Sequence, residues 1–391
     1  MNNLLNSNNE SLKACLDLGK NEVKGFSFTE EGNIKKVINF DSILKKTLTA
    51  HALISNVNPN KYKIEFEGKR YELGDGLEKG IYSNENSKAN FHHRLCLLVS
   101  IGLLIEYDGQ KVDVLVGLPS SHISNSSERK AFEKFLKGEE GKNISIVINN
   151  QPKNFILNSV TPDSEGLAIL PRLKMMLNNN TSDIAVIDIG GHNFNLRLFD
   201  AYGYALDEKG ISEEQVGINT LLNNLHLELI SNLKNRDRKI SRNDLKRFIK
   251  EWNLDDDMEL SNYNGSSSEF IKEFVQNYIQ EYITDKLSAY SVKINAKGMK
   301  YLFTGGGASL LRPYIETMYP NNLDCIIFSD TSKWDNCISF AINKLFQINS
   351  NKAHIFSNIN ADALEKLSND DKGIDRSYIE EFKSIILGQK A

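Results

Sequence analysis

Three apolar stretches of this chain run straight into glycine. They are LDLGKNEVKG (Leu16–Gly25), VIDIGGHNFN (Val186–Asn195) and YLFTGGGASLL (Tyr301–Leu311). Each reads as a buried β-strand that stops at a turn of bare backbone. The ends of strands are where α/β proteins place their ligands. Successive backbone N–H groups in such a turn form a nest for an anion. Any one of these turns is ordinary turn chemistry. The ordered set of three points to an α/β chain that holds a phosphate-bearing ligand.

Two of the turns carry an acid in the same place, Asp17 and Asp188. A carboxylate repels phosphate, so its use beside one is to hold a divalent cation, commonly through water, as Mg²⁺ prefers. Lys24 lies across the first turn and can reach back as a point charge. The candidate ligand contacts are therefore Asp17, Gly19, Lys20, Asn21 and Lys24 in the first turn. The second offers Asp188, Gly190, Gly191, His192 and Asn193, and the third Gly305, Gly306 and Gly307. Neither Gly-x-x-x-x-Gly-Lys-[Ser/Thr] nor Gly-x-Gly-x-x-Gly occurs, which excludes P-loop, Rossmann and protein-kinase readings.

Composition removes other classes. The net charge is −4 with no basic tract, so direct nucleic-acid binding is not expected. The longest apolar run, Leu95–Ile105, is too short to span a bilayer, and the Asn-rich start lacks the features of a signal peptide. A cytoplasmic protein without a membrane contact is expected. The four cysteines form no Cys-x-x-Cys pair and read as reduced thiols. The histidines show no metal-ligand spacing.

Between the glycine turns the pattern alternates strands and helices. YKIEFEGKRYELGDG (Tyr62–Gly76) predicts a β-hairpin turning at Glu67-Gly68-Lys69. The run through Leu95–Ile105 predicts a buried helix, and KVDVLVGLPSS a buried strand. SSERKAFEKFLKG predicts an amphipathic helix with Phe132 and Phe135 on one face and Gly138 as its C-cap. SEGLAILPRLKMML, VGINTLLNNLHLELISNL, EFIKEFVQNYIQEYITDKLSAY and WDNCISFAINKLFQI predict further helices.

In this order the motifs resemble the actin, heat-shock chaperone and sugar-kinase ATPase superfamily. LDLGKNEVKG resembles its first phosphate motif, VIDIGGHNFN its second, YLFTGGGASLL its adenosine motif and WDNCISFAINKL its C-terminal connecting helix. Within that superfamily, VDVLVGLPSS, SVTPDSEG and VGINTLL make the chain most similar to bacterial plasmid-segregation proteins of ParM type. The resemblance implies an actin-like α/β fold with two related domains flanking a nucleotide cleft. Its expected layout is a tail over 1–11 and domain I over 12–170, with a smaller subdomain near 35–107. Domain II is expected over 171–325, and a C-terminal segment over 326–391 returns to domain I.

The resemblance further implies ATP or GTP with Mg²⁺ as the ligand, held through water by Asp17 and Asp188. It implies hydrolysis coupled to a homopolymeric filament, and a ParR-like adaptor bound to a plasmid centromere as the link to DNA. The water-activating acid of the family falls on Thr161–Gly166, where Asp163 follows the proline and Glu165 is the alternative. Either can accept a hydrogen bond from the attacking water. Each also suits the start of a helix. Residues around the base fall in Leu233–Phe248, with Lys234, Arg236 and Arg238 as candidates, against a plain solvated basic face. The second motif departs from the family at HNFN: Asn193 and Asn195 stand where Thr and a second acid are usual. The competing readings on the same fold are a sugar-type kinase, for which no substrate motif stands out, and a cell-shape or division protein.

Overall fold

The computed structural model describes residues 11–47, 60–77, 80–81, 87–123, 125–139, 141–165, 182–201, 206, 211–234, 237, 239–251, 260–263, 266–289, 299–329 and 331–348. The predicted tail over 1–11, apart from Ser11, lies outside these residues. So do the predicted helix after Glu165, Arg236, Arg238 and everything after 348. The chain divides into two compact units, residues 1–178 with 334–391, and residues 179–333.

The first unit holds a nine-stranded sheet in the order β3-β2-β1-β7-β9-β8-β5-β6-β4. Its strands are β1 (Leu12–Leu18), β2 (Glu22–Phe28), β3 (Ile34–Asp41), β4 (Leu44–Thr47), β5 (Lys61–Phe66), β6 (Lys69–Gly74), β7 (Gln110–Leu118), β8 (Asn143–Ile148) and β9 (Gln151–Ser164). The period of two along β1 divides its side chains between two layers. Leu12, Ala14, Leu16 and Leu18 face the core built on helix α1 (Phe91–Leu104). Cys15 instead packs with Trp334, Cys337, Ile338 and Phe340, at the start of the C-terminal helix. One strand therefore has a helix on each side, which is why it is buried along its whole length.

The predicted hairpin is β5–β6. It turns on Glu67 (φ 49°) and Gly68 (φ 70°), two left-handed residues of the kind a two-residue hairpin requires. Helix α2 (Ser126–Lys137) is capped by Asn125 and ends at Gly138. Its buried face is Phe132 and Leu136, one turn apart, while Phe135 is exposed; the predicted pairing of the two phenylalanines is corrected to the i,i+4 pair.

The second unit holds a five-stranded sheet, β12-β11-β10-β13-β14. Its strands are β10 (Asp183–Ile189), β11 (Asn193–Phe199), β12 (Ile211–Glu214), β13 (Met299–Thr304) and β14 (Ile326–Phe328). It repeats the β3-β2-β1-β7-β9 part of the first sheet. β10, β11 and β12 are antiparallel neighbours, as are β1, β2 and β3. β13 and β14 then follow in parallel, as β7 and β9 do. One core joins Ile187, Ile189 and Phe303 to helices α3 (Ile218–Asn232), α4 (Arg242–Glu251), α5 (Ser267–Ile279) and α6 (Gly305–Met318). The predicted long helix is α5, which widens into a π turn at Gln280–Thr284 and resumes at Asp285–Ala289. The return to the first unit, expected at 326, falls at Trp334 instead, because β14 pairs with β13. Helix α7 (Asp335–Ile348) follows. No helix among the described residues is long and apolar enough to cross a membrane. The four cysteines are free.

Far from the glycine turn, the start of β7 carries a buried charge network. Asp113 accepts from Lys13 Nζ (2.8 Å), Asn158 Nδ2 (2.7 Å) and Ser159 Oγ (2.6 Å). Burial alone would push this carboxyl up, but the bonds from Lys13, Ser159 and Asn158 outweigh it and hold it well below the usual carboxylate range. A depressed folded pKa adds stability above the unfolded value and loses it as pH falls. Asp113→Asn is therefore expected to cost about 3 kcal/mol at neutral pH, because the buried Lys13 ammonium loses its 2.8 Å partner and is left with the more distant Glu30 carboxylate at 3.8 Å. Urea denaturation should show the gap between wild type and variant narrowing below about pH 4, the ordinary aspartate value.

Candidate functional site

The first glycine turn joins β1 to β2. Asp17 and Lys24 lie opposite each other in the hairpin register, both buried, with Lys24 Nζ 3.6 Å from Asp17 Oδ2. The lysine predicted to reach a phosphate is thus ion-paired to the acid predicted to hold a cation. Asn336, in the first turn of α7, donates to Asp17 Oδ2 at 3.3 Å. The turn is tight: a Cβ on Gly19 would stand 2.5 Å from the Glu22 carbonyl oxygen. The Asn21 carbonyl accepts from Ser42 N (2.8 Å), and the Lys20 ammonium is buried.

The second turn joins β10 to β11 and is built into the start of α3. Gly190 N donates to Asn193 O (2.9 Å). The carbonyls of His192, Gly190 and Gly191 accept in turn from the N–H groups of Gly217 (3.0 Å), Ile218 (3.1 Å) and Asn219 (2.7 Å). A helix start leaves such donors without intrahelical partners, and here the turn backbone takes them. Gly217 has to be glycine, since a Cβ would lie 2.6 Å from Gly190 O, Gly191 C and His192 N. Tyr278 of α5 ties the same corner down by donating to Val216 O and Gly217 O. Asn195 faces Asp188 in register and donates to its Oδ2 (3.3 Å). The unusual HNFN segment therefore supplies an amide to the acid it accompanies.

The third turn meets the second. β13 is parallel to β10 with Thr304 opposite Asp188, so Gly305 emerges beside that acid. Gly305 has φ +84°, and a Cβ there would stand 2.3 Å from Asp188 Oδ1. Gly307 packs equally closely on the Ile189 carbonyl. Gly306 faces open space, with no atom within 4 Å of an added Cβ. Two motifs more than a hundred residues apart in sequence thus form one lip of backbone in the second unit, with Gly306 exposed, Gly190, Gly191 and Gly305 partly exposed and Gly307 buried.

The two candidate water-activating acids separate. β9 stays paired with β7 through Asp163 and Ser164, so Asp163 lies within a strand and not at a helix start. Its carboxylate accepts from Asn343 Nδ2 of α7 (3.0 Å) and from Ser164 N (2.8 Å). Glu165 folds back over Gly117 at the end of β7 and pairs with Lys88, both side chains being largely buried. Burial pushes the Glu165 carboxyl above its ordinary range; Lys88 opposes that shift and Asp17 adds to it.

Lys234 is not brought to the turns. It follows the fifteen residues of α3, whose other end carries the second turn, and so lies about 22 Å along the helix axis. Arg242, at the start of α4, is brought there instead: its guanidinium donates to the Asn219 side chain. Sequence reading passed over Arg242, Gly217, Lys88 and Asn336. Three of them carried a signal: Gly217 and Asn336 lie inside VGINTLL and WDNCISFAINKL, and Arg242 lies inside the Leu233–Phe248 stretch expected around the base.

Among the described residues no three His, Cys, Asp or Glu stand close enough together to cage a metal ion. Each hairpin turn brings one acid, steadied by one amide. Magnesium fits such a donor set where water and phosphate oxygens supply most of its ligands.

Two units with one repeated strand order, each with an acid-glycine hairpin at the end of its first strand, define an actin-like fold. Family models agree. The N-terminal domain of actin-like proteins matches residues 15–166, and the Alp7A C-terminal domain matches residues 183–331. The chain belongs to the actin-like proteins. It is similar to the ParM of a 15-stranded filament from Clostridium botulinum, with 16% identity and TM-score 0.65 over 86% of this chain and 99% of that one. It is similar to the crystal structure of the actin-like protein Alp7A, with 13% identity and TM-score 0.63 over 88% and 100%. It is also similar to the archaeal actin homologue Ta0583 in complex with ADP, with 12% identity and TM-score 0.61 over 85% and 99%. No curated protein matches the chain.

Proposed function

We propose that this chain is a nucleoside-triphosphate-hydrolysing protein that assembles into filaments and segregates plasmid DNA through a centromere-bound, ParR-like adaptor in the cytoplasm. The observation that carries the nucleotide part is the backbone lip made by Gly190–Gly191 and Gly305–Gly307 around Asp188. Open backbone at the start of α6, beside an acid suited to a hydrated cation, is what a Mg-nucleotide requires. The ADP bound by the archaeal homologue supports the same ligand class, and the ParM filament supports self-assembly. Asp17, Gly19, Lys20, Asn21 and Lys24 take the corresponding part in the first unit, and Asp188, Gly190, Gly191, His192, Asn193 and Gly305–Gly307 in the second. Arg242 is a better candidate than Lys234 for a contact beside them.

Hydrolysis of this kind rests on positioning and charge stabilisation, and nucleotide that favours one conformation drives assembly. Light scattering followed by sedimentation, with Mg-ATP and Mg-GTP in parallel, tests the reading. A sedimenting polymer that forms with one nucleotide and decays as phosphate is released is expected. Transfer of phosphate to a sugar, with no polymer under either nucleotide, would replace the filament by a kinase.

A further inference from the structure

We propose that Lys88 and Gly117 are positioning residues that together seat the Glu165 carboxylate for hydrolysis. This rests on the nucleotide-hydrolysing reading above. It adds two residues that none of the three glycine turns contains.

Three features of the first unit carry it. The first is space. Gly117 lies opposite Asp163 in the β7–β9 register, and a Cβ on it would stand 2.6 Å from Glu165 Oε1, 2.9 Å from its Cγ and 3.2 Å from its Cδ. The carboxylate lies where a side chain at 117 would be, so glycine there gives Glu165 its place. The second is the Lys88 ammonium, which donates to Glu165 Oε1. Lys88 is 6% exposed and Glu165 13% exposed as side chains, so the pair is held away from bulk water and has little freedom to exchange partners.

The third is how firmly Lys88 is mounted. It lies between Ser87 and Asn90, which form one turn: Ala89 N donates to Ser87 Oγ (3.1 Å) and Asn90 Nδ2 to Ser87 O (2.8 Å). Asn90 caps α1 by accepting from His93 N (3.0 Å). Lys88 is therefore anchored to the first turn of a fourteen-residue buried helix. A cation fixed on a rigid helix end orients its partner better than one on a free loop.

The charged and titratable groups around Glu165 come from several elements. Lys88 precedes α1, Asp17 ends β1, Lys24 lies on β2, and Cys337 is on α7. Behind Lys88 is His93, which burial keeps neutral and whose Nδ1 is shared with Asn90. Burial likewise keeps the Cys337 thiol protonated. Lys88 is the one group among these with a direct hydrogen bond to the carboxylate. Without it, Glu165 would be left largely buried and without that anchor.

The test uses the full chain, with phosphate release from Mg-ATP and Mg-GTP and binding of a fluorescent nucleotide as separate readouts. Lys88→Met and Gly117→Ala are each expected to lower kcat by about 10²-fold, the cost of a small misplacement, while KM and the nucleotide Kd stay within about twofold. The three atoms nearest a Cβ added at Gly117 all belong to the Glu165 side chain, so Gly117→Ala displaces the carboxylate first and guards against a folding defect in Lys88→Met. Lys88→Arg is expected to retain most of the turnover. Lys88→Met combined with Glu165→Gln should be no slower than Glu165→Gln alone, because residues acting as a unit are not additive. Wild-type turnover in Lys88→Met and Gly117→Ala, beside a slow Glu165→Gln, would overturn the inference and leave the hydrolase reading standing. A wild-type chain that releases no phosphate from either nucleotide would overturn that reading, and this inference with it.

Discussion

Glu165→Gln is expected to slow nucleotide hydrolysis by about 10²- to 10⁴-fold, the range a positioned base contributes, with nucleotide binding retained. Asp163→Asn is expected to cost far less. Asp163 is already committed: its two oxygens accept from Asn343 of α7 and from the backbone N–H of Ser164. An acid with both oxygens occupied inside a strand holds the C-terminal helix to the sheet and has little left for a water. Glu165 lies just past the end of β9, its carboxylate turned back over Gly117, with a cation as its partner. Its burial also favours a base, since a carboxyl pushed up from its ordinary range takes a proton more readily than a solvated one. Phosphate release at saturating nucleotide distinguishes the two. A dead Asp163→Asn beside a normal Glu165→Gln would hand the role to Asp163 and reduce the Lys88 pair to a structural contact.

The choice between these acids shows where sequence stops. In Thr161–Gly166 both acids suit the start of a helix. The structure keeps Pro162 and Asp163 in β9 because Val116 and Gly117 pair with them, about 45 residues earlier in the chain. Nothing local in the segment records that register. What was legible was local: apolar strands that end in glycine, the Glu67-Gly68 hairpin, and the capped helix after Asn125. These depend on backbone freedom and on side-chain periodicity, which a short window contains. Lys234 illustrates the opposite case. It was picked for its charge and its place in the order of motifs, and the length of α3 carries it away from the turns. Arg242, a few residues further on, is brought back by the packing of α4 on α3. The odd HNFN segment acquires a physical reading from hairpin register, which sets Asn195 against Asp188.

Gly217→Ala and Gly306→Ala are expected to give opposite results, and the contrast tests whether the second and third turns form a ligand surface or only a tight corner. At Gly217 an added methyl meets three backbone atoms of the second turn at 2.6 Å, and backbone cannot step aside as a side chain can. Relief requires the Gly190–His192 segment to move off α3, which breaks the bonds from Gly217, Ile218 and Asn219 that hold it. A loss of about 2 kcal/mol or more is expected, within or above the usual cost of overpacking, visible as a lower thermal midpoint without any nucleotide. Gly306 has open space around it and an ordinary φ, in the first turn of α6. Alanine there should leave the free protein as stable as before, or more so by up to about 1 kcal/mol, since glycine costs that much within a helix. If this open backbone is where the nucleotide lies against the chain, the same methyl occupies ligand space. Nucleotide affinity should then fall about tenfold or more, at least 1.4 kcal/mol, while the thermal midpoint of the free protein holds. Unchanged nucleotide affinity in Gly306→Ala would move the ligand off the third turn. The glycine triplet would then serve only to let α6 start against Asp188 and Ile189.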